Sequence, residues 1–119
     1  MSTRDIGRLA EQQAAKYLEE QGFFIRDVNW QQGQKEIDIV ADKNDVLHIV
    51  EVRSLSSTGI MQPYQSINRQ KQRNLIWAAN AYIEKYKLDM EVQFDIISLV
   101  RKQSFIEIEY IPNAFYPQL

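Results

Sequence analysis

Residues 35–42, KEIDIVAD, and residues 45–54, DVLHIVEVRS, decide the fold of this chain. Both stretches are rich in isoleucine and valine, and a short polar turn around Lys43 and Asn44 separates them. Such a pattern is typical of two β-strands joined by a tight turn. The sequence therefore predicts a β-hairpin at its centre.

The hairpin also predicts a convergence of charged side chains. Side chains alternate across a strand, so Glu36 and Asp38 share one face of the first strand. Glu51 and Arg53 share one face of the second strand for the same reason. A hairpin loop with an even number of residues places all four side chains on the same side of the sheet. The opposite side then carries an apolar strip made of Ile37, Ile39, Val50 and Val52.

Apolar spacing outside the hairpin predicts the remaining elements. The predicted elements are a first helix over residues 5–21, a β-like segment over residues 23–30, a loop over residues 54–65 and a second helix over residues 66–86 that Ser66 would cap. Two closing strands follow at residues 91–100 and 104–111, and the tail from Pro112 is predicted to be irregular. The order α-β-β-β-α-β-β predicts an α/β fold with a mixed, mainly antiparallel sheet of about five strands flanked by two helices. Residues 1–119 are expected to form a single domain.

Composition narrows the classes of function. Apolar residues make up 45% and charged residues 25% of the 119 residues, which is typical of a globular protein. The absence of cysteine excludes disulfides, a thiolate zinc site and a cysteine nucleophile. No apolar run has the length of a membrane span or a signal peptide, so we expect no membrane partner and a cytoplasmic location.

Net charge gives no general attraction to polyanions. The formal net charge is −2, and the isoelectric point lies near 5.4. Affinity for nucleic acid therefore has to come from a local basic patch or from bound metal ions.

The predicted carboxylate cluster favours a divalent cation. Glu36, Asp38 and Glu51 would repel one another unless a cation or a proton lies between them. Oxygen ligands without a cysteine or a suitable histidine favour Mg²⁺ or Mn²⁺ over zinc, and such ions support phosphodiester hydrolysis. The alternative is that these acids are solvated strand residues and that Arg53 forms an ordinary cross-strand ion pair. His48, on the apolar side, is interpreted as structural.

The second predicted helix carries basic residues. Lys71 falls on the inward-facing stripe, where a lysine must extend to solvent or meet an acid or a phosphate. Arg69 and Arg73 share a different face of the helix, which suits either a solvated surface or contacts to a phosphate backbone.

Six segments of the chain, in order, carry a resemblance to a known family. GRLAEQQAAKYLEEQGF, VNW, KEIDIVA, HIVEVRS, QKQRNLIWAANAYI and QFDII, which lie within residues 5–100, resemble the YraN family of small bacterial proteins. That family is usually described as uncharacterised and endonuclease-like. It is assigned to the PD-(D/E)xK, restriction-endonuclease-like superfamily, near the archaeal Holliday-junction resolvases.

The resemblance implies roles for particular residues. It implies that Asp38 and Glu51 are the metal ligands, with Glu11, on the first helix, and Glu36 assisting. It also implies that residue 53 orients the attacking water or stabilises developing charge, and that Lys71 is the family's helix lysine.

The chain departs from the family pattern at residue 53, and three hypotheses follow. The usual lysine is Arg53 here, and an arginine remains protonated, so it cannot act as a general base. The first hypothesis is a Mg²⁺- or Mn²⁺-dependent DNA endonuclease; by analogy we expect structured, branched or damaged DNA as its substrate and a homodimer as its assembly. The second is a nucleic-acid-binding module without catalysis, and the third is an interaction domain that binds no nucleic acid.

Overall fold

The computed structural model describes residues 3–56 and 67–117, in which two helices flank a five-stranded sheet. The elements are α1 (Thr3–Glu20), β1 (Phe24–Gln32), β2 (Lys35–Lys43), β3 (Val46–Ser56), α2 (Arg69–Tyr86), β4 (Glu91–Arg101) and β5 (Ile106–Phe115). The predicted order α-β-β-β-α-β-β is confirmed. Neither helix in the described ranges has the length and apolar character needed to cross a membrane.

The sheet is mixed and mainly antiparallel, as predicted. The strands lie in the order β1-β2-β3-β4-β5. β3 and β4 are parallel, and the other neighbouring strands are antiparallel. A parallel pair needs a crossover connection, and α2 lies within the segment that joins β3 to β4. β3 is therefore the central strand, antiparallel to β2 and, through the crossover, parallel to β4.

The central hairpin has the even loop that the parity argument requires. Lys43 pairs with Val46, so the loop consists of Asn44 and Asp45 and lies one residue later than predicted. Both loop residues have left-handed backbone angles, with φ of 54° and 65°. Two-residue hairpin turns of this type need positive φ at both positions, which asparagine and aspartate tolerate better than lysine.

Helices cover both faces of the sheet, so each face carries its own core. Val40 and Ile49 pack in the cluster that includes α2, whereas Ile39 and Val50 pack in the cluster that includes α1. The predicted apolar strip is correct for Ile39, Val50 and Val52, all of which pack on the α1 side. It is wrong for Ile37, which packs on the α2 side.

A local irregularity explains where Ile37 lies. Ile37 pairs with Trp30, and Ile39 pairs with Val28, so Asn29 lies between the two pairs on β1. Asn29 has a left-handed φ of 55°, which interrupts the regular alternation of the paired strands. The strands change the face that they present at this point, next to Asp38.

The start of α2 and the segment before it differ from the prediction. Asn68 caps α2, and its side-chain oxygen accepts a hydrogen bond of 2.9 Å from the backbone N–H of Lys71. The predicted cap, Ser66, lies outside the described residues. β3 extends through Ser56 into the predicted loop, and residues 57–65 of that loop also lie outside the described residues.

The last strand extends past Pro112, so the predicted irregular tail is wrong for residues 112–115. β5 lies at the edge of the sheet, where a proline need not donate to a strand ladder. Beyond Pro112, Asn113 has a left-handed φ of 51°, and the Phe115 ring stacks on Phe94 at 4.9 Å between centroids. The strand continues across this irregularity because its end packs on the core.

A buried polar network ties β3, β4 and β5 together at Asp95. His48 Nδ1 lies 2.7 Å from its carboxylate, and the Tyr110 hydroxyl donates to it at 2.6 Å. The Asn113 backbone N–H and the Gln93 amide also donate to Asp95. Burial alone would raise the pKa of Asp95, but these hydrogen bonds outweigh burial and hold its pKa below the ordinary value.

We predict that Asp95 makes the fold sensitive to acid. Because its folded-state pKa is lowered, its stabilising contribution is present above the ordinary value of 3.8 and is lost as pH falls through the folded-state value. Asp95→Asn should lower the free energy of unfolding near neutral pH by roughly 2 kcal/mol and should flatten its decline in acid. Urea unfolding across the acid range measures both effects. The matched control is Asp45→Asn in the exposed turn; equal pH profiles for wild type and Asp95→Asn would contradict the prediction.

Candidate functional site

The sheet divides between β2 and β3, and Asp38 lies where it divides. The last pair that joins these two strands is Ile39 with Val50. Beyond it, β2 continues paired with β1, and β3 continues paired with β4. Asp38 Oδ2 accepts a hydrogen bond of 2.8 Å from the backbone N–H of Val52, across this gap. We call this region the fork.

Three carboxylates meet on one side of the fork. Glu11 extends from α1, and Glu36 and Asp38 extend from β2. One oxygen from each of the three lies within 4.8 Å of the others. Burial raises the pKa of Glu11 to about 7, with further increases from Asp38 and then Glu36. The group therefore concentrates more negative charge than its surroundings compensate.

Glu51 contacts Asp38 from the other side of the fork, where it is 4% exposed. Its Oε2 atom lies 3.3 Å from Arg53 Nη2 and 3.3 Å from Lys71 Nζ. Burial and then the Asp38 carboxylate raise the pKa of Glu51 to about 8, although both cations act in the opposite direction. Neither ion pair has hydrogen-bond geometry at Oε2, which is buried without a hydrogen bond, as is Arg53 Nε.

The capped first turn of α2 sets the position of Lys71. The Asn68 cap accepts from the Lys71 backbone N–H, so Lys71 lies in the first turn of the helix, and its ammonium reaches Glu51 of β3. Its side chain remains 42% exposed while its ammonium contacts Glu51. The sequence predicted that this lysine would extend to solvent or meet an acid or a phosphate. In the structure its side chain is partly exposed to solvent and also contacts an acid.

Arg69 and Arg73 lie outside the cluster. Both are exposed on α2, and Arg73 donates to the Gln70 side chain at 2.9 Å. Their exposure agrees with both alternatives that the sequence left open, a solvated surface and contacts to a phosphate backbone.

Two arginines that the sequence reasoning missed flank the carboxylates. Arg4 and Arg8 line a cleft of about 420 Å³ together with Glu11 and Glu36. The charge of Arg8 lowers the pKa of Glu11, against the larger opposing effects. Their spacing was the available signal, since positions 4, 8 and 11 fall on one face of a helix.

The arrangement suits a hard divalent cation. Its donors are carboxylate oxygens from three elements, and Mg²⁺ and Mn²⁺ prefer oxygen ligands. Burial first, and then the neighbouring carboxylates, raise the pKa values of Glu11 and Glu51, so a nearby cation would favour their ionised forms. Oε2 of Glu51 is buried and accepts no hydrogen bond although two cations lie 3.3 Å away, which is a second observation in favour of a further ligand. The residues therefore fit a metal ion at this position.

Comparisons with known proteins place the chain among bacterial relatives. A family model described as "Uncharacterised protein family UPF0102" matches residues 10–99. The chain is similar to the UPF0102 protein of Bacteroides thetaiotaomicron, with 40% identity over 97% of this chain and 95% of the relative. The UPF0102 protein of Bacteroides fragilis is 42% identical over 96% and 94% of the two chains. The UPF0102 protein of Flavobacterium psychrophilum is 35% identical over 94% of each.

We predict that the negative charge of Glu51 destabilises the fold when no metal ion is bound. Glu51→Gln removes one charge from the crowded acids, so it should raise the free energy of unfolding in EDTA by about 1 kcal/mol near pH 8. Thermal unfolding measures the change. Glu36→Gln serves as the control, because Glu36 is exposed and its replacement should have a smaller effect. A lower unfolding temperature for Glu51→Gln would mean that the contacts with Arg53 and Lys71 outweigh the repulsion.

Proposed function

We propose from the geometry of its fork that this chain, which belongs to the UPF0102 family, is a Mg²⁺- or Mn²⁺-dependent nuclease acting on structured DNA. UPF0102 is the family that the sequence resemblance identified as YraN. The observation that carries the proposal is a group of three carboxylates at the fork, in contact through Asp38 with a fourth carboxylate that is paired with two cations. Glu11, Glu36, Asp38 and Glu51 supply the carboxylates, and Arg53 and Lys71 supply the cations.

Asp38 is the central ligand in this proposal. Its carboxyl group is in contact with those of both Glu11 and Glu51. Its Oδ2 atom is held by the Val52 N–H, so its orientation is fixed before any ion binds. Glu11 and Glu51 would complete the protein ligands, and Glu36, which is exposed, would contribute from the rim. A bound Mg²⁺ or Mn²⁺ would activate water and offset negative charge at the scissile phosphate.

The two cations would act on the phosphate. Arg53 and Lys71 are 30% and 42% exposed, respectively, and both reach the same oxygen of Glu51. Their charges therefore lie next to the proposed ion position, where they can hold phosphate oxygens. An arginine side chain does not act as a base in proteins, so the role of Arg53 would be electrostatic and proton removal from water would fall to a carboxylate.

Local charge supports a polyanionic substrate despite the net charge of −2. Arg4 and Arg8 line the cleft on one side of Glu36, and Lys35 and Lys71 line the cleft on its other side. Carboxylates at the centre with cations on both flanks suit a nucleic-acid strand that crosses the fork. Phosphate contacts of this kind position a backbone without selecting a sequence.

A second candidate function follows from the pairing of Arg53 with Glu51. Arg53 Nη2 lies 3.3 Å from Glu51 Oε2 and already neutralises part of the negative charge of this carboxylate. If the guanidinium prevents Glu51 from binding an ion productively, the chain would bind nucleic acid without hydrolysing it. The two candidates differ in turnover and share the binding surface.

We predict that Mn²⁺ binds with Asp38 and Glu51 as ligands. Isothermal titration of Mn²⁺ should give a measurable heat for wild type, at least tenfold weaker binding for Asp38→Asn, and none for Glu51→Ala. Asp38→Asn keeps an oxygen that can accept from the Val52 N–H, which preserves the fork. Asp45→Asn, in the β2–β3 turn, is the control. Equal and negligible heats for wild type and both site variants would remove the metal from the proposal.

We predict that Mn²⁺-dependent cleavage depends on the residue at position 53. Wild type should cleave forked or four-way-junction DNA, and Arg53→Lys should raise the rate about tenfold, because a compact ammonium leaves Glu51 freer to bind the ion. Asp38→Asn should abolish cleavage. A structured-DNA panel with single-stranded and linear duplex controls measures this. Binding without cleavage by wild type and Arg53→Lys would favour the second candidate.

A further inference from the structure

Trp77 exposes its indole ring on α2 and is 66% exposed, whereas the chain's other tryptophan, Trp30, is 6% exposed. The Lys35 ammonium lies 5.7 Å from the centroid of the Trp77 ring. A large aromatic surface left open to water lowers stability relative to burial, so it suits a ligand that covers it.

A polar cleft beside Trp77 leads to the fork. The cleft has a volume of about 300 Å³, and the residues that line it are Gln34, Lys35, Glu36, Lys71, Asn74 and Trp77. Glu36 and Lys71 therefore belong both to this cleft and to the carboxylate site. Lys71, Asn74 and Trp77 lie three residues apart on α2, a spacing that places them along one side of a helix. The exposed ring lies next to the proposed reaction centre.

The lining has the chemistry that a nucleotide requires. The indole offers a flat face for stacking, and the two amides, Gln34 and Asn74, offer donors and acceptors to a base edge. Lys35 and Lys71 offer positive charge to the adjoining phosphates. The exposed Arg69 and Arg73 precede Trp77 by eight and four residues, which places them on the same row of the helix. The charge complements a single strand that runs along α2 toward the fork.

The bases of a duplex stack on one another and leave no face for the indole, whereas an unpaired base has a free face. We propose that Trp77, in the cleft with Lys35 and Asn74, is a stacking site for an unpaired base of single-stranded DNA beside the fork. This stacking site adds a substrate preference to the proposed function, and it rests on that proposal for the position of the scissile phosphate. It selects substrates with unpaired nucleotides next to the position of cleavage.

Intrinsic fluorescence gives a direct test. Trp30→Phe leaves Trp77 as the only tryptophan of a chain that has two, and phenylalanine keeps an aromatic ring in the core beside Tyr82. A mixed-sequence single-stranded oligonucleotide in EDTA should quench the remaining tryptophan, and a blunt duplex of the same length should not. Stacking on a base brings the ring into direct contact with the quencher, whereas phosphate contacts alone do not.

A second measurement does not depend on the Trp30 replacement. Anisotropy of a labelled single-stranded oligonucleotide should show about tenfold weaker binding for Trp77→Ala, a change within the range of one base stacking on an aromatic ring. Trp77→Phe should recover part of the loss. Phe105→Ala, at a residue 60% exposed outside this cleft, should bind as wild type does.

The outcomes separate this proposal from the nuclease proposal. Equal binding by wild type and Trp77→Ala, or equal quenching by single strand and duplex, would overturn the stacking site and leave cleavage at the fork unaffected. Quenching by the single strand together with no cleavage of any substrate would support the stacking site while removing the nuclease proposal. Loss of binding in Phe105→Ala equal to that in Trp77→Ala would overturn the assignment to this cleft.

Discussion

Repulsion among the acids at the fork is the constraint on which the site depends. Asp38 accepts a hydrogen bond from the Val52 N–H at the point where β2 and β3 stop pairing, and this bond holds its carboxylate close to its neighbours. Glu11, from α1, and Glu51, from β3, both contact it. A backbone donor left open by the separation of two strands thus fixes the centre of the charge cluster.

The position of the cluster follows from the way the helices cover the sheet. The α1-side and α2-side cores bury both faces of the middle strands, and an unpaired carboxylate there would be strongly unfavourable. The fork is where β2 and β3 separate and solvent-exposed clefts meet the sheet. Glu36 lines the clefts on both sides, which makes the fork the place where acids, cations and solvent come together.

The sequence predicted the features that depend on periodicity and missed those that depend on packing between elements. Strand parity placed Asp38 near Glu51 because the hairpin loop is even, even though the turn lies at Asn44 and Asp45. Periodicity could not place Ile37, because the left-handed Asn29 interrupts the alternation. It also could not decide the surroundings of Glu11, which depend on how α1 docks on the sheet. The continuation of β5 past Pro112 likewise depends on packing at a sheet edge.

Ion pairs with two cations do not keep the pKa of Glu51 at its ordinary value. Arg53 and Lys71 both lie 3.3 Å from one oxygen, yet the pKa of Glu51 is raised to about 8. Burial and Asp38 therefore outweigh the two nearby positive charges, and the buried oxygen that faces both cations accepts no hydrogen bond. An ordinary ion pair would lower the pKa of its acid. The direction of this shift distinguishes Glu51 from the acid of a solvated cross-strand pair, and the metal ion that we propose would supply further positive charge next to Asp38 and Glu51.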